Sequence, residues 1–218
     1  MTTPVVLVPG LGLGPESYAP TVQYLDTQYE VVTLPGYGER APRGVDLSTS
    51  ALAERLAVRI KEGPVVLVGH SASCQIVVAA AIAHPELAKA LVLVGPSGDR
   101  NMSTWPALAA RWMASAVWDP PRLVPTLARQ YFRTGFPSMA RAIAAARHYD
   151  LAAALADLRT PTVVVRSKHD RLAPPQWVQE VADKSSGEAW TLPSGSHMPV
   201  LTNGPELAAY IRRCIQSD

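Results

Sequence analysis

Six short runs rich in Val and Leu, spaced at near-regular intervals, limit the folds open to this chain. They are Val5–Val8, Glu30–Leu34, Pro64–Val68, Ala90–Val94, Thr162–Arg166 and Glu188–Leu192. Most are apolar at successive positions and do not alternate. Alternation buries one face of a strand, whereas a continuous run suits a strand covered on both faces of a parallel sheet. The last run, Glu188-Ala-Trp-Thr-Leu192, does alternate and reads as an edge strand. Helical stretches lie between the runs. In Ser48–Lys61, Leu52, Leu56 and Ile60 recur at four-residue spacing, with Ser48 placed to cap the first turn. Ser71–His84 is apolar all round, which predicts a buried helix ended by Pro85. Gln176–Lys184 and Pro205–Ile215 are shorter and amphipathic. Strand and helix in alternation predict an α/β fold, with right-handed crossovers and helices on both faces of the sheet.

The runs start at 5, 30, 64, 90, 162 and 188, so the spacings are 25, 34, 26, 72 and 26 residues. A strand–helix–strand unit needs only about 30 residues. The long gap therefore holds an insertion. It carries Trp105, Trp112 and Trp118 with Met102, Met113 and Met139, and is broken by Pro106, Pro120, Pro121, Pro125 and Pro137. It is expected to form a small helical cap over the carboxyl ends of the strands. The expected organisation is a core of residues 1–98 and 159–218 and a cap of residues 99–158. Trp105, Trp112 and Met113 are candidate substrate contacts, although they could serve only to pack the cap on the sheet.

Charge and composition exclude several classes. Twenty Lys and Arg against 18 Asp and Glu give a net charge of +2, which argues against a general nucleic-acid binder. Hydrophobic residues make up 48%, enough for a core, so disorder is not expected. Cys74 and Cys214 are far apart and form neither a disulfide framework nor a zinc pattern. A reducing, cytoplasmic setting is expected. The opening MTTPVVLVPG lacks the basic segment and long apolar region of a signal peptide, and no apolar run reaches the roughly 18 residues of a membrane span.

After the run Val65–Val68 comes Gly69-His70-Ser71-Ala72-Ser73, and a helix follows at once. The G-x-S-x-G pattern places a serine on a sharp strand-to-helix turn with small residues on both sides. Gly69 meets that need, and Ser73 stands in for the second glycine. The turn sets Ser71 at a helix N-terminus, where the Ala72 amide can stabilise a developing oxyanion. Ser71 could also merely cap the helix, so its partners decide. A serine hydroxyl needs an adjacent base. His197 sits in a Ser-Gly-Ser loop after the last predicted strand, and Asp170 just past the strand Thr162–Arg166. Their separation of 27 residues matches the 26-residue spacing of those two strands, so both should emerge beside each other at one sheet edge. Ser71 ends a third parallel strand on that edge, where ligands bind in open α/β sheets. Asp99, after the strand ending at Val94, is an alternative acid. His70 and Cys74 are expected to pack, and His148 in the cap is a weaker candidate for touching substrate.

The first strand runs into Pro9-Gly10-Leu11-Gly12-Leu13-Gly14, whose glycines allow a tight fold without the Gly-Lys-Ser/Thr of a phosphate loop. It is read as turning a backbone N–H towards Ser71, that of Leu11 first and Gly12 second, with Gly10 and Gly12 also near the substrate. With these segments, Leu34-Pro-Gly-Tyr-Gly38, His169-Asp-Arg-Leu-Ala-Pro174 and Gly195-Ser-His197 in hand, the chain resembles the α/β-hydrolase superfamily over nearly its whole length. Pro9 departs from the histidine that many members carry there, and the family's opening hairpin is expected to be missing ahead of Val5. The resemblance implies an α/β-hydrolase fold with about six parallel strands. It also implies acyl transfer from a small, partly apolar carboxylic ester to water through an acyl-enzyme on Ser71, with His197 as base and Asp170 as its orienter. No metal or organic cofactor is needed for that chemistry, and the partner is a small molecule. The same triad serves C–C bond hydrolases and hydroxynitrile lyases, and slow-turnover binding proteins also keep it. Serine at the elbow argues against epoxide hydrolases and haloalkane dehalogenases, which use aspartate.

Overall fold

Strands that are apolar at every position need cover on both sides, and the computed structural model, which describes residues 3–100 and 104–216, supplies it. Met102 lies outside the described residues. In chain order the elements are β1 (Val5–Val8), α1 (Ala19–Val22), β2 (Tyr29–Val31), β3 (Leu34–Pro35), β4 (Gly38–Glu39), α2 (Thr49–Arg59), β5 (Val65–His70), α3 (Ser73–Ala83) and β6 (Ala88–Val94). There follow α4 (Trp105–Ala116), α5 (Val124–Thr134), α6 (Phe136–Ala146), α7 (Leu151–Ala154), β7 (Thr162–Ser167), α8 (Pro175–Lys184), β8 (Glu188–Leu192), α9 (Pro199–Thr202) and α10 (Gly204–Gln216). Six strands form one sheet in the order β2-β1-β5-β6-β7-β8, and every neighbouring pair is parallel.

Side chains along a strand point alternately to opposite faces. Val6, Val8, Leu67, Leu91, Leu93 and Val164 accordingly join one core with Leu52 and Leu56 of α2, Ile76 of α3 and Val181 of α8. Their neighbours Val5, Leu7, Val66, Val68, Val92 and Val165 join a second core with Tyr18 and with Leu207 and Ile211 of α10. The outer strands break the pattern. The residues of β2 are exposed or half-buried and β8 buries only Leu192 well, as its alternating sequence predicts for an edge.

The predicted helices differ from the observed ones by a residue or two at their ends, and Ser48 does cap α2 by accepting from the Ala51 amide at 3.3 Å. The predicted strand Glu30–Leu34 divides instead. Its first part pairs with β1 and stops at Val31. Leu34–Pro35 leaves the sheet to form a small parallel pair with Gly38–Glu39, and the turn between them passes through Gly36 at a φ of 88°. β5 runs two residues further than its apolar run, through Gly69 and His70 to the turn at Ser71.

β6 and β7 are in direct register, Leu91 with Thr162 through Val94 with Val165. Helices α4–α7 are therefore an excursion from the carboxyl edge that leaves the ladder intact. Among the described residues no helix is long and apolar enough to cross a membrane.

Leu67 is fully buried at the centre of the sheet. Leu67→Ala is expected to lower the free energy of unfolding by about 2–5 kcal/mol, read from denaturant melts, because the rigid ladder around it cannot collapse into the void.

Candidate active site

The turn after β5 is forced by backbone geometry. Ser71 has a φ of 57°, in the left-handed region, at a cost of roughly 1–3 kcal/mol for a residue with a side chain. Its amide donates to the Val94 carbonyl at 2.8 Å, fastening the turn to the end of β6. Gly69 is obligatory, since a Cβ there would lie 2.9 Å from Cys74 Cα and 2.8 Å from Val77 Cγ2. Ser73, where the pattern has its second glycine, does more than fit. It is fully buried, and its hydroxyl lies 2.8 Å from the Val8 carbonyl and 2.9 Å from that of His70, while accepting from the His70 amide at 2.8 Å. A single hydroxyl thus ties the end of β1 to the turn.

The structure brings Ser71, His197 and Asp170 into one line. His197 Nε2 lies 2.8 Å from Ser71 Oγ, and His197 Nδ1 lies 2.9 Å from Asp170 Oδ2. The other Asp170 oxygen accepts from the amides of Leu172 and Ala173, each at 2.9 Å. Burial pushes the Asp170 carboxyl up, but the His197 charge and hydrogen bond and the two amides outweigh it and hold it below its ordinary value. Asp99, the alternative acid, lies 3.6 Å from Arg111. The loop that presents Asp170 is shaped by Arg166, whose guanidinium donates to the carbonyls of Ala173 and Asp170 at 2.8 and 2.9 Å.

In the Gly10–Gly14 loop the amides divide. Gly12 N–H donates to the Gly36 carbonyl at 2.9 Å, Leu13 N–H to Gly10 at 3.0 Å, and Gly14 N–H to the Gln130 side chain at 2.7 Å. Among the described residues the Leu11 and Ala72 amides enter no such bond. Gly10, Leu11, Ser71, Ala72 and His197 all line one cavity of about 840 Å³. Trp105, Trp112 and Met113 line it as well, each remaining partly exposed, and so does His148. Gly12 is instead backed by Tyr131 and Met139, which a Cβ would meet at 2.8 and 2.7 Å.

Several residues at the site carry no signal in a motif reading. Gly95 follows β6 with a φ of 54°, and a Cβ there would stand 2.9 Å from Asp170 Oδ2 and 3.4 Å from His197 Nδ1. His70 does more than pack. Its Nε2 lies 2.8 Å from the His197 carbonyl, so that nitrogen carries the proton, while Nδ1 is buried against Gly10 without a partner. Burial holds its imidazole far below the ordinary value, at about 3. Asp119, in the turn after α4, hydrogen-bonds Ser196 next to His197, and burial raises its carboxyl. Trp118 stacks on His169, next to Asp170 in the chain, at 3.8 Å between ring centres. Only the crowding of a glycine after a strand and the polar residues inside apolar stretches could have pointed to these. Cys74 is buried and donates to the Gly69 carbonyl at 3.2 Å, and burial raises its thiol well above the ordinary value. No group of His, Cys, Asp and Glu among the described residues is arranged to hold a metal ion.

Three outcomes follow from this geometry. Ser73→Gly restores the usual pattern yet is expected to lose about 1–3 kcal/mol of stability in denaturant melts, because the His70 amide loses its partner and the Val8 carbonyl keeps only the longer bond from the Tyr18 hydroxyl. Gly95→Ala is expected to displace the Asp170 carboxylate, visible as a lost low-field proton resonance between His197 and Asp170. The third concerns pH. Between about 6.5 and 3 the unfolded chain protonates His70 and the native protein does not. Stability present above pH 6.5 is therefore lost on acidification, by up to about 1.4 kcal/mol per pH unit. The slope of Tm against pH should be flatter in His70→Gln.

A family model described as the alpha/beta hydrolase family matches residues 5–210. The chain is 27% identical over 96 residues to (E)-2-((N-methylformamido)methylene)succinate hydrolase of Acinetobacter baylyi, an alignment covering 42% of this chain and 36% of that relative. It thus spans little more than a third of that relative's length. Among solved structures it is similar to a hydrolase from Oleispira antarctica, with a TM-score of 0.82 at 17% identity over 100% of this chain and 92% of that one. An esterase from Thermogutta terrifontis gives 0.80 at 21% identity, covering 99% and 91%. With the family match running from the first strand into the last helix, the chain belongs to the alpha/beta hydrolase family.

Proposed function

We propose that this hydrolase cleaves a small, partly apolar carboxylic ester, with Ser71, His197 and Asp170 as its catalytic residues. What supports the reading is the unbroken line from Asp170 through His197 to Ser71, opening on an apolar cavity. His197 Nε2 takes the Ser71 proton as Oγ attacks the ester carbonyl. The carbonyl π pair moves onto oxygen, where the Leu11 and Ala72 amides receive it. His197 then hands the proton to the departing alcohol, leaving an acyl group on Ser71. Water repeats the sequence and releases the acid. Asp170 keeps the proton of His197 on Nδ1 and balances the imidazolium charge. Preorganised amides of this kind are worth on the order of 3 kcal/mol each. Helices α4–α7 act as a cap in this reading, and Trp105, Trp112 and Met113 contact the apolar part of the substrate. The two free, buried thiols fit a reducing compartment such as the cytoplasm.

A second reading comes from the Acinetobacter baylyi relative, whose name describes hydrolysis of a formamido compound. The same steps then cleave a C–N bond, with His197 protonating the leaving nitrogen.

p-Nitrophenyl esters of increasing chain length and an N-methylformamide separate the two. Rapid ester turnover is expected, with kcat reduced on the order of 10⁴-fold or more in Ser71→Ala and about 10⁴-fold in Asp170→Asn. Cleavage of the formamide alone would favour the second reading. A stoichiometric burst without turnover would favour a binding protein.

A further inference from the structure

Two buried polar side chains of the inserted helices meet the backbone of the loop after β1. Gln130 and Thr134 are fully buried and one turn apart on α5, so they share a face. Thr134 Oγ1 donates to the Gly12 carbonyl at 3.0 Å, and Gln130 Oε1 accepts from the Gly14 amide at 2.7 Å. These two backbone groups flank Leu13 and are the ones a neighbouring strand would use. We infer that Gln130 and Thr134 are positioning residues that hold the Gly10–Gly14 loop in the shape that aims the Leu11 amide at the carbonyl attacked by Ser71. The inference rests on the reading of Ser71 as nucleophile.

The rest of the loop leads to the same amide. Leu13 N–H occupies the Gly10 carbonyl and Ser17 N–H that of Gly14, while Gly12 N–H is held by Gly36. In a trans peptide the N–H points opposite to the C=O. With the Gly10 carbonyl drawn to Leu13, the Leu11 N–H faces the other way. That orientation persists only while Gly12 and Gly14 stay in place, and α5 holds the two backbone groups, the Gly12 carbonyl and the Gly14 amide, that Gly36 and Ser17 do not. Gln130 supplies a second observation. Its Nε2 is buried with no hydrogen-bond partner, an arrangement that costs free energy and that an apolar side chain of similar size would avoid. Its oxygen is the group that serves the loop. An ion pair of Arg133 with Glu16 at 2.8 Å closes the same seam.

The test uses Thr134→Val, which keeps shape and removes the hydroxyl, Thr134→Ser, which keeps the hydroxyl, and Gln130→Met. Turnover of a p-nitrophenyl ester is measured together with inhibition by an alkyl trifluoromethyl ketone. Ser71 Oγ bonds to the ketone carbon, its proton passes to His197, and the carbonyl pair becomes an oxyanion in the place where charge develops during catalysis. Thr134→Val and Gln130→Met are expected to lower kcat at least tenfold, against the 10²–10³ that deleting a donor costs, with KM within twofold. They should weaken the ketone by a matching factor, and Thr134→Ser should restore both. A loss confined to KM, or Thr134→Val turning over and binding the ketone like the parent, would overturn the inference. Labelling of the parent by a fluorophosphonate, absent in Ser71→Ala, keeps the two levels apart. With Ser71 labelled, an inert Thr134→Val result removes only the positioning role, whereas an unlabelled parent removes the nucleophile and the positioning role together.

Discussion

All six strands of the sheet run the same way, and this single constraint decides where every loop of consequence can lie. A parallel ladder sends each strand's carboxyl end to one edge. The loop after β1, the turn after β5 and the loops after β7 and β8 therefore open together. They bring Gly10–Gly14, Ser71, Asp170 and His197 to one place although the chain separates serine and histidine by 126 residues. β6, between β5 and β7, contributes no reactive group. It is followed by Gly95, the absence of a side chain under the Asp170–His197 pair.

Around these groups the polar atoms are held by short, buried bonds to the backbone more than by ion pairs. Ser73 joins β1 to the turn, His70 joins the turn to the backbone of His197, and Arg166 folds the acid loop over carbonyl oxygens. Such bonds are modest individually but costly to leave half-made in a dry interior, so they fix one arrangement. The neutral state of His70 belongs to the same logic, because a buried cation beside His197 would oppose the proton transfer proposed for that imidazole.

Much of this was legible in the residues. Continuous Val and Leu runs mark doubly covered strands, and their spacing places Asp170 and His197 on successive strands of one edge. The glycine-flanked serine marks the turn. The division at Leu34–Pro35 was hidden because Val32 and Leu34 look alike to a pattern that counts apolar residues, and only pairing separates them. Ser73 read as a tolerated stand-in for glycine, since a sequence shows size but not the two carbonyls waiting for its proton. Gln130 and Thr134 look like ordinary polar positions of an amphipathic helix. Their partners lie 116 and 122 residues away, beyond any local pattern.

That distance has a consequence for when the molecule becomes whole. The loop after β1 leaves a ribosome before the helix that braces it, which follows more than a hundred residues later. The histidine facing Ser71 emerges later still. A nascent chain therefore displays its serine turn with neither His197 nor a braced loop, and closing such long loops is slow compared with forming helices. The order of synthesis leaves Ser71 without its His197 partner until the last strand has been made.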